Sequence, residues 1–469
     1  MVRTAVQSKE RNKHPMKLIY DIQDRPKAGQ LIIFSLQQLL AIMTATLVVP
    51  VIIGHDMSTG AALFGAGVGT LVYILFTKKR SPVFLGSSFA FIGPMTTAFA
   101  GAVSMSLGYL GLIIGAAFAG LVYVVIAIAV KIAGVKWVSK LMPPVVIGPT
   151  VALIGLSLAG NAVGDLTKGN VTNIDGDPVA SPLIAILCGV VTLLITTICS
   201  TYGKKSVKMI PFIIGILSGY AFAVILTVIG NAADLDALKL IDFSVFDKLL
   251  VDGKIALKTF LQVPDFTFLT AAGGFKELNA QYIGTIAVAY IPVAFVVFAE
   301  HLADHKNISS IIEKDLLEDP GLHRTLLGDG VGSIVGAFFG GCPNTTYGES
   351  VACVAITRNA SIYTIIGAAV GAVLVSFVNP FIIFVNSIPS CVMGGVCMAL
   401  YGFIAVSGLK MIQKVDLEEN RNLFVVSVIL ISGIGGLTVT FGEITLTSVA
   451  CALILGILTN IILGRKSAH

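Results

Sequence analysis

Long apolar stretches follow one another along almost the whole chain, and short polar segments separate them. An α-helix needs about 20 consecutive apolar residues to cross the hydrocarbon core of a bilayer. About fourteen stretches approach that length, so the pattern predicts an all-α polytopic membrane protein. The predicted spans are 31–53, 59–77, 83–99, 104–130, 143–163, 182–201, 209–230, 281–302, 325–342, 344–357, 360–385, 388–408, 423–441 and 446–464.

The composition excludes a soluble protein of this size. The 469 residues are 55% hydrophobic and 12% charged, and the mean hydropathy is +0.92. We expect an N-terminal arm over 1–30 and one integral membrane domain over 31–469. No apolar stretch precedes Leu31, so a cleaved signal peptide is not expected. The seven cysteines lack close-pair metal spacing and are expected to be small buried hydrophobes.

The positive charges fix an orientation. If the arm is cytoplasmic, about 25 of the 31 Lys and Arg residues fall on the same side as the arm. The sequence therefore predicts a multi-pass protein of the cell membrane with cytoplasmic N- and C-termini. The net charge of +5 is a topology signal rather than a sign of nucleic-acid binding.

Two of the predicted spans are interrupted by small and polar residues. One interruption is Gly86-Ser87-Ser88-Phe89-Ala90-Phe91-Ile92-Gly93-Pro94, and the other is Pro343-Asn344-Thr345-Thr346-Tyr347-Gly348. Paired broken segments in two halves of a chain are typical of a transporter binding site, with half-helix N-termini directed at the ligand. Extended residues in the two segments could pair with each other, which would satisfy their backbone groups at bilayer depth.

The two halves also resemble each other. Met142-Pro143-Pro144-Val145-Val146-Ile147-Gly148 is matched by Ile388-Pro389-Ser390-Cys391-Val392-Met393-Gly394, roughly 250 residues later. Seven spans per half is an odd number, so the two repeats have opposite orientations in the membrane. Inverted repeats predict alternating access between two groups of helices.

Three acids fall within or beside apolar stretches. Inserting an acid at the bilayer centre costs about 2.5–3.5 kcal/mol, so each needs a partner or a function. Glu300 ends an apolar run and Glu349 follows the second interruption, so a functional role is favoured for both. Asp329 lies between two glycines and is expected to be a helix-end carboxylate near the headgroups.

A possible proton relay follows Glu300 along the same predicted helix. Glu300 and Asp304 are four residues apart and share one helical face, and a buried carboxylate near a second titratable group can carry a proton. For Asp304 a proton-coupling role and simple solvation of the helix end both stay open. His301 and His305 are expected to solvate that end at the cytoplasmic boundary, with His305 kept as a candidate for proton coupling.

The interrupted segments favour a flat ligand. Carboxylates accept from ring N–H groups, free backbone N–H groups donate to ring C=O groups, and an aromatic side chain can cover the ring face. Phe89, Phe91 and Tyr347 are the aromatic candidates, although for the aromatics taken alone ordinary helix packing is the better explanation.

Several ordered motifs, spread over nearly the whole chain, resemble the uracil permeases of the nucleobase–ascorbate transporter family. They are Gly86-Ser87-Ser88-Phe89-Ala90-Phe91-Ile92, Ala299-Glu300-His301, Glu313-Lys314-Asp315-Leu316-Leu317, Asp319-Pro320-Gly321-Leu322-His323-Arg324, Pro343-Asn344-Thr345-Thr346-Tyr347-Gly348-Glu349 and Ala355-Ile356-Thr357-Arg358.

This resemblance implies a fold, a cargo and a site. The fold would be a 7+7 inverted repeat of fourteen spans with short antiparallel strands in spans 3 and 10. Its core domain would cover about 31–130 and 281–385, and its gate domain about 143–230 and 388–464. The function would be proton-coupled uracil import. Glu300 and Glu349 would hold the ring, with Gly348, Phe89, Tyr347 and Ser88 beside it.

Two positions depart from the family pattern. Asp304 and Gln38 stand where histidines would be expected, which leaves the proton pathway open among Glu300, Asp304 and His305. The alternatives are the same fold carrying xanthine, uric acid or thymine, a channel, or an anion exchanger. No catalytic or nucleotide-binding motif indicates an enzyme, and no cofactor or metal is expected. The oligomeric state is left open, with a homodimer as one option.

Overall fold

The protein is described here from a computed structural model. The structure describes residues 18–173, 176–204, 207–250, 253–441 and 444–464. The first part of the predicted arm, 1–17, therefore lies outside the described residues.

Helices dominate the described chain, and several begin at recognisable signals. Ser58 and Ser104, for example, each accept a hydrogen bond from a backbone N–H of the helix they precede. The helices of the first half are α1 (Ala28–Ile53), α2 (Thr59–Phe76), α3 (Ile92–Ala100), α4 (Met105–Ala133), α5 (Lys136–Leu141), α6 (Pro144–Ser157), α7 (Ala159–Leu166), α8 (Pro182–Tyr202) and α9 (Pro211–Ala233).

The second half begins after a connection made of short helical turns. Its helices, with the two that belong to the connection, are α10 (Leu257–Phe260), α11 (Thr267–Ala271), α12 (Ala280–Ile312), α13 (Leu322–Gly340), α14 (Gly348–Thr357), α15 (Ile362–Val375), α16 (Asn379–Asn386), α17 (Ser390–Ile412), α18 (Asn420–Ile434) and α19 (Ser448–Gly464). The described residues also form four short strands: β1 (Leu85–Ser87), β2 (Asn344–Thr346), β3 (Val439–Phe441) and β4 (Ile444–Leu446).

Within the described ranges, eight helical stretches are long and apolar enough to cross a membrane: α1, α2, α4, α6 with α7, α8, α9, α12 and α17. The shorter apolar helices are 89–100, α14, α15, α18 and α19. The prediction of a largely helical, multi-pass membrane protein is thus confirmed in this coarser form. The strands β1 and β2 form an antiparallel pair inside the helical body, and β3 pairs with β4 in a hairpin.

Two predicted spans were placed incorrectly at their edges. The span 423–441 ends early, because α18 stops at Ile434 and the chain then enters the β3–β4 hairpin. The span 360–385 is divided between α15 and α16, because Asn379-Pro380 opens a new helix after a short turn.

The described part of the N-terminal arm is bound to the end of the molecule where α14 finishes. Ile19 donates its N–H to the carbonyl of Arg358 (2.7 Å), and Ile362 donates to the carbonyl of Ile22 (2.9 Å). Since α15 starts beside this arm, its last residues lie at the opposite end of the molecule, called the far end below.

Candidate functional site

The centre of the candidate site is the crossing of β1 and β2. Leu85 pairs with Thr346, Gly86 with Thr345, and Ser87 with Asn344. Two further bonds extend the pairing, from Ser88 N–H to Pro343 O (2.9 Å) and from Tyr347 N–H to Phe84 O (3.2 Å). All six strand residues are buried. The pairing satisfies backbone groups that would otherwise be unpaired in an apolar interior, as predicted.

Side chains from neighbouring helices hold the crossing in place. Thr70 of α2 accepts from Leu85 N–H (2.9 Å), and Ser350 of α14 accepts from Phe84 N–H (3.0 Å). Gln38 of α1 donates its amide to the same Ser350 hydroxyl oxygen (2.5 Å). Asn344 donates to the carbonyl of Gly65 (3.1 Å). Gln38 therefore has a structural role, because it bonds the Ser350 hydroxyl that holds the backbone just before β1.

Each strand leads into a helix that starts at the crossing. A 3₁₀ turn over Phe89–Phe91 runs into α3, and α14 begins directly at Gly348. The first N–H groups of a helix have no partner within the helix and carry a partial positive charge. The two half-helices therefore present hydrogen-bond donors to the space beside the strands, which suits an electronegative ligand edge.

The two predicted glutamates both reach this space. Glu300 of α12 and Glu349 in the first turn of α14 are half-buried, and they lie within electrostatic reach of each other. α12 packs against both β2 and α14, which brings Glu300 to the crossing. Carboxylate oxygens at these positions can accept from ring N–H groups.

Asp304 lies one helical turn beyond Glu300 and is buried. Its Oδ2 accepts from the hydroxyl of Thr346 in β2 (2.8 Å). Its Oδ1 faces Gly348, since a Cβ placed on Gly348 would lie 3.7 Å from that oxygen. Apart from the backbone of its own helix and its chain neighbours, no other atom of the described residues would lie within 4 Å. Gly348 is exposed, so a ligand can approach its backbone closely.

The remaining predicted ligands sit around the same crossing. Phe89 is buried and packs edge-on against Tyr401 of α17, with ring centroids 5.4 Å apart. The Tyr347 hydroxyl donates to Ser87 O (2.7 Å), so its ring is fixed against Gly86. Ser88 is fully buried, and its hydroxyl has no hydrogen-bond partner among the described residues. The structure thus brings all six predicted ligand residues to one place.

The predictions for His301 and Asp329 were wrong. Neither side chain is exposed at a helix end: both are fully buried, His301 on α12 and Asp329 on α13, and Nδ1 of His301 is 2.6 Å from Oδ2 of Asp329. Thr325 donates to Leu322 O (3.1 Å), so its oxygen accepts from Nε2–H of His301 (3.0 Å). One proton must therefore lie between His301 and Asp329, and the pair is neutral whichever atom carries it.

The boundary prediction for His305 was also wrong. His305 is fully buried, stacks on the ring of His301 at 4.0 Å and donates from Nδ1 to His301 O (2.8 Å). Its Nε2 lies 2.8 Å from the hydroxyl of Tyr73, which in turn is 2.6 Å from that of Ser81. The three groups form a buried hydrogen-bonded chain that ends beside Arg80.

Sequence reasoning missed the residues that support the site. Thr346 stands inside the motif 343–349 and Ser350 directly follows it, so their hydroxyls were visible signals. Thr70 and Tyr401 carry no local signal, because each is one polar residue within an ordinary apolar helix and only tertiary packing brings it to the strands.

A helical body with two half-helices that start at buried, paired strands defines a multi-pass membrane transporter. Comparison with known proteins gives the family: a sequence model of the permease family matches residues 29–442, and the chain belongs to this family. The predicted resemblance is confirmed, and the protein is a transporter rather than an enzyme.

Curated relatives align over almost their full lengths. The uracil permease of Bacillus caldolyticus is 40% identical over 456 residues, which is 96% of each chain. The uracil permease of Bacillus subtilis (strain 168) is 38% identical and also covers 96% of each chain. That of Escherichia coli (strain K12) is 36% identical and covers 93% of this chain and 92% of its own.

Solved structures share the fold at low identity. The transmembrane domain of a cyanobacterial bicarbonate transporter, BicA, superposes with a TM-score of 0.59 at 14% identity, covering 94% of this chain and 99% of that domain. The murine Slc26a9 anion transporter in the inward-facing state gives a TM-score of 0.62 at 13% identity, covering 95% of this chain and 70% of its own. These two similarities establish the fold alone.

Proposed function

We propose that this protein imports uracil together with protons. The observation that carries the proposal is the pair of half-buried carboxylates, Glu300 and Glu349, beside the open start of α14. The relatives named as uracil permeases support the choice of cargo. Uracil offers two ring N–H donors and two C=O acceptors in one plane, which complement two carboxylates and a row of backbone N–H groups.

Each site residue then has a role. Glu300 and Glu349 accept from the ring N–H groups, while backbone N–H groups at Gly348 donate to a ring carbonyl. Phe89 covers one face of the ring. Ser88 and Tyr347 shape the edge of the site next to β1, where Ser88 has an unpartnered hydroxyl.

The helix contacts support a 7+7 inverted repeat of fourteen spans, with spans 3 and 10 formed by β1–α3 and β2–α14. In such a repeat, α1 corresponds to α12, α2 to α13, α4 to α15, α6 to α17, α8 to α18 and α9 to α19. The observed packing stays the same when each helix is replaced by its counterpart. α1 packs on α15 as α12 packs on α4, and α8 packs on α9 as α18 packs on α19. The elements α2 and α13, β1 and β2, and α6 and α17 each pack on their own counterpart.

The same contacts support two moving groups. The core would contain about 31–130 and 281–385, and the gate about 143–230 and 388–464. The main contacts between these groups come from α1 and α12, which are counterparts in the proposed repeat. Since the site lies on α12 and the strand crossing, movement of one group against the other would open it to each side in turn, which is alternating access.

Protons provide the driving force in this proposal, and no bound cofactor is needed. Glu300, Asp304 and His305 are the proton-coupling candidates. Asp304 is the most closely connected to substrate, because its carboxylate touches both β2 and the surroundings of Gly348. His305 would act at a distance, through the buried chain to Ser81.

The proposed setting is the cell membrane, with both termini in the cytoplasm as the distribution of Lys and Arg indicates. We leave a homodimer as one option for the assembly. An anion exchanger on the same fold is disfavoured, because two carboxylates at the site would repel an inorganic anion.

A competition assay tests the cargo. Purified protein in proteoliposomes should accumulate labelled uracil, and unlabelled uracil should compete far better than xanthine, thymine, cytosine or bicarbonate. Stronger competition by xanthine would assign a purine as the cargo, and failure of every nucleobase to compete would overturn the proposal.

A further inference from the structure

An exposed apolar surface lies outside the transport site, at the far end of the molecule. It consists of Ile255, Leu257, Phe260, Leu261 and Val263 in the segment 255–263. Leu257 is 75% exposed and Phe260 55% exposed. Leu257, Phe260 and Leu261 follow helical spacing through α10, while Thr259 on the other side is buried. The short helix therefore turns its apolar side chains outward. A loop that faces water would instead expose its polar side chains.

The backbone of this segment is fixed against the far end of α15. Gln262 donates its N–H to Phe377 O (3.0 Å), and the side chain of Asn379 donates to Lys258 O (2.9 Å). Leu261 also forms an isolated β-bridge with Val378. These hydrogen bonds hold the backbone of the segment in place, and the backbone in turn directs the apolar side chains outward.

The segment lies beside the end of α15, which also has exposed apolar side chains. Val370 and Leu374 of α15 are exposed, Leu374 by 64%, and in a membrane permease large exposed apolar side chains on such a helix face acyl chains. Since α15 ends at Val375, the segment beside Phe377 and Val378 lies where the hydrocarbon core gives way to headgroups.

The charges of the segment match phospholipid headgroups. Between Gly253 and Pro264 the only ionisable residues are Lys254 and Lys258, both exposed, and Asp252 and Asp265 flank this stretch in the sequence. Lysines beside leucine and phenylalanine are typical of segments that lie in the membrane interface and interact with anionic lipids.

We infer that the segment 255–263 is an interfacial anchor: its apolar side chains enter the lipid leaflet at the far end, and Lys254 and Lys258 interact with lipid phosphates. The partner is the bilayer itself. The anchor holds the far end of α15 at the depth of the headgroups, and it does not depend on which molecule the permease carries.

Tryptophan fluorescence in vesicles tests the anchor. Trp137 is the only tryptophan of the chain, so Trp137→Phe gives a silent background. Phe260→Trp in that background should emit at shorter wavelength, and lipids brominated near the headgroup end of the acyl chains should quench it on the order of twofold or more. The matched control is Asp177→Trp, at an exposed loop position, which should stay unquenched.

Each other outcome contradicts the anchor. Long-wavelength emission without quenching, as in the control, would place the segment in water. Stronger quenching by bromines near the methyl end would place it deep in the bilayer. Short-wavelength emission that neither lipid quenches, and that changes with the protein-to-lipid ratio, would indicate contact between two copies. Leu257→Trp repeats the test if Phe260→Trp does not yield monodisperse protein.

The lysines are tested separately. Raising the fraction of anionic phosphatidylglycerol should increase quenching of Phe260→Trp, and adding Lys254→Gln and Lys258→Gln should remove that sensitivity. A response that persists without the lysines would overturn their assigned contact with lipid phosphates.

Discussion

Glu300 and Glu349 reach the same space from different backbone settings. Glu300 projects from the interior of the long helix α12, whereas Glu349 sits in the first turn of α14, where the helix dipole favours a negative charge. The position of Glu300 depends on how α12 packs, and that of Glu349 on where α14 begins. Substitutions that keep each side chain's shape therefore test charge without moving either helix.

Glu300→Gln and Glu349→Gln each remove one charge and should weaken uracil binding strongly. A hydrogen bond to a charged group contributes about 1.5–3 kcal/mol, or roughly one to two powers of ten in affinity. Isothermal titration with purified protein measures the loss, and unchanged thermal unfolding shows that the fold is intact. Wild-type affinity in either variant would contradict the site assignment.

Asp304→Asn should impair proton-coupled uptake more than uracil binding. An asparagine oxygen can still accept from Thr346, so the hydrogen bond survives while the charge and the titratable proton are lost. Binding affinity and uptake are measured across external pH, with Thr346→Val as the control that removes the bond but keeps the carboxyl group. A pH profile of uptake that matches wild type would exclude Asp304 from coupling.

His301→Gln should destabilise the protein by about 3–5 kcal/mol, because Asp329 would be left buried without its proton-sharing partner. The double variant His301→Gln/Asp329→Asn restores a neutral pair and should regain much of that stability. Thermal unfolding in detergent compares these two variants with wild type. Equal losses in the single and double variants would argue against a coupled pair.

The sequence located the acids of the site but not their surroundings. Glu300, Asp304 and Glu349 stood out because a carboxylate in an apolar run needs a reason to be there. His301, His305 and Asp329 were misplaced because each bonds to a side chain of another helix. His301 of α12 bonds to Asp329 of α13, and His305 bonds to Tyr73 of α2. Only tertiary packing shows that a polar side chain near the end of an apolar run is enclosed.

Among the elements, α6 and α17 pack against each other at unusually short range. A Cβ on Gly408 of α17 would lie 2.2 Å from the backbone nitrogen of Ala152 in α6, whereas a Cβ on Gly402 of the same helix would meet nothing within 4 Å. The two glycines therefore separate close packing from helix propensity.

Gly408→Ala should destabilise the protein by about 1–3 kcal/mol, because α6 and α17 would have to move apart. Gly402→Ala should leave stability unchanged or raise it by up to about 1 kcal/mol, because alanine favours a helix. Thermal unfolding of both variants checks this pair. Equal stabilities would mean that the two helices tolerate a wider separation.

The paired strands were predictable because small and polar residues broke two apolar runs at corresponding places in the two halves. The β3–β4 hairpin was not predicted, since the residues from Ile434 to Leu446 stay apolar enough to resemble a helix end. Hydropathy distinguishes membrane from water, but it does not distinguish a strand from a helix when both are buried in protein.

For the whole molecule, the matching helix contacts of the two halves have a consequence for what drives transport. In the proposed inverted repeat, the inward-facing and outward-facing arrangements are equivalent, so the direction of transport would come from a gradient rather than from the fold. If protons supply it, labelled uracil should accumulate in proteoliposomes when the outside is more acidic, and a protonophore should collapse that accumulation.

A channel would give neither accumulation nor saturable exchange. Preloading vesicles with unlabelled uracil should therefore speed entry of the label without any proton gradient, as a carrier requires. Accumulation that survives the protonophore would reject proton coupling while leaving the carrier intact, and entry that never saturates would reject the carrier itself.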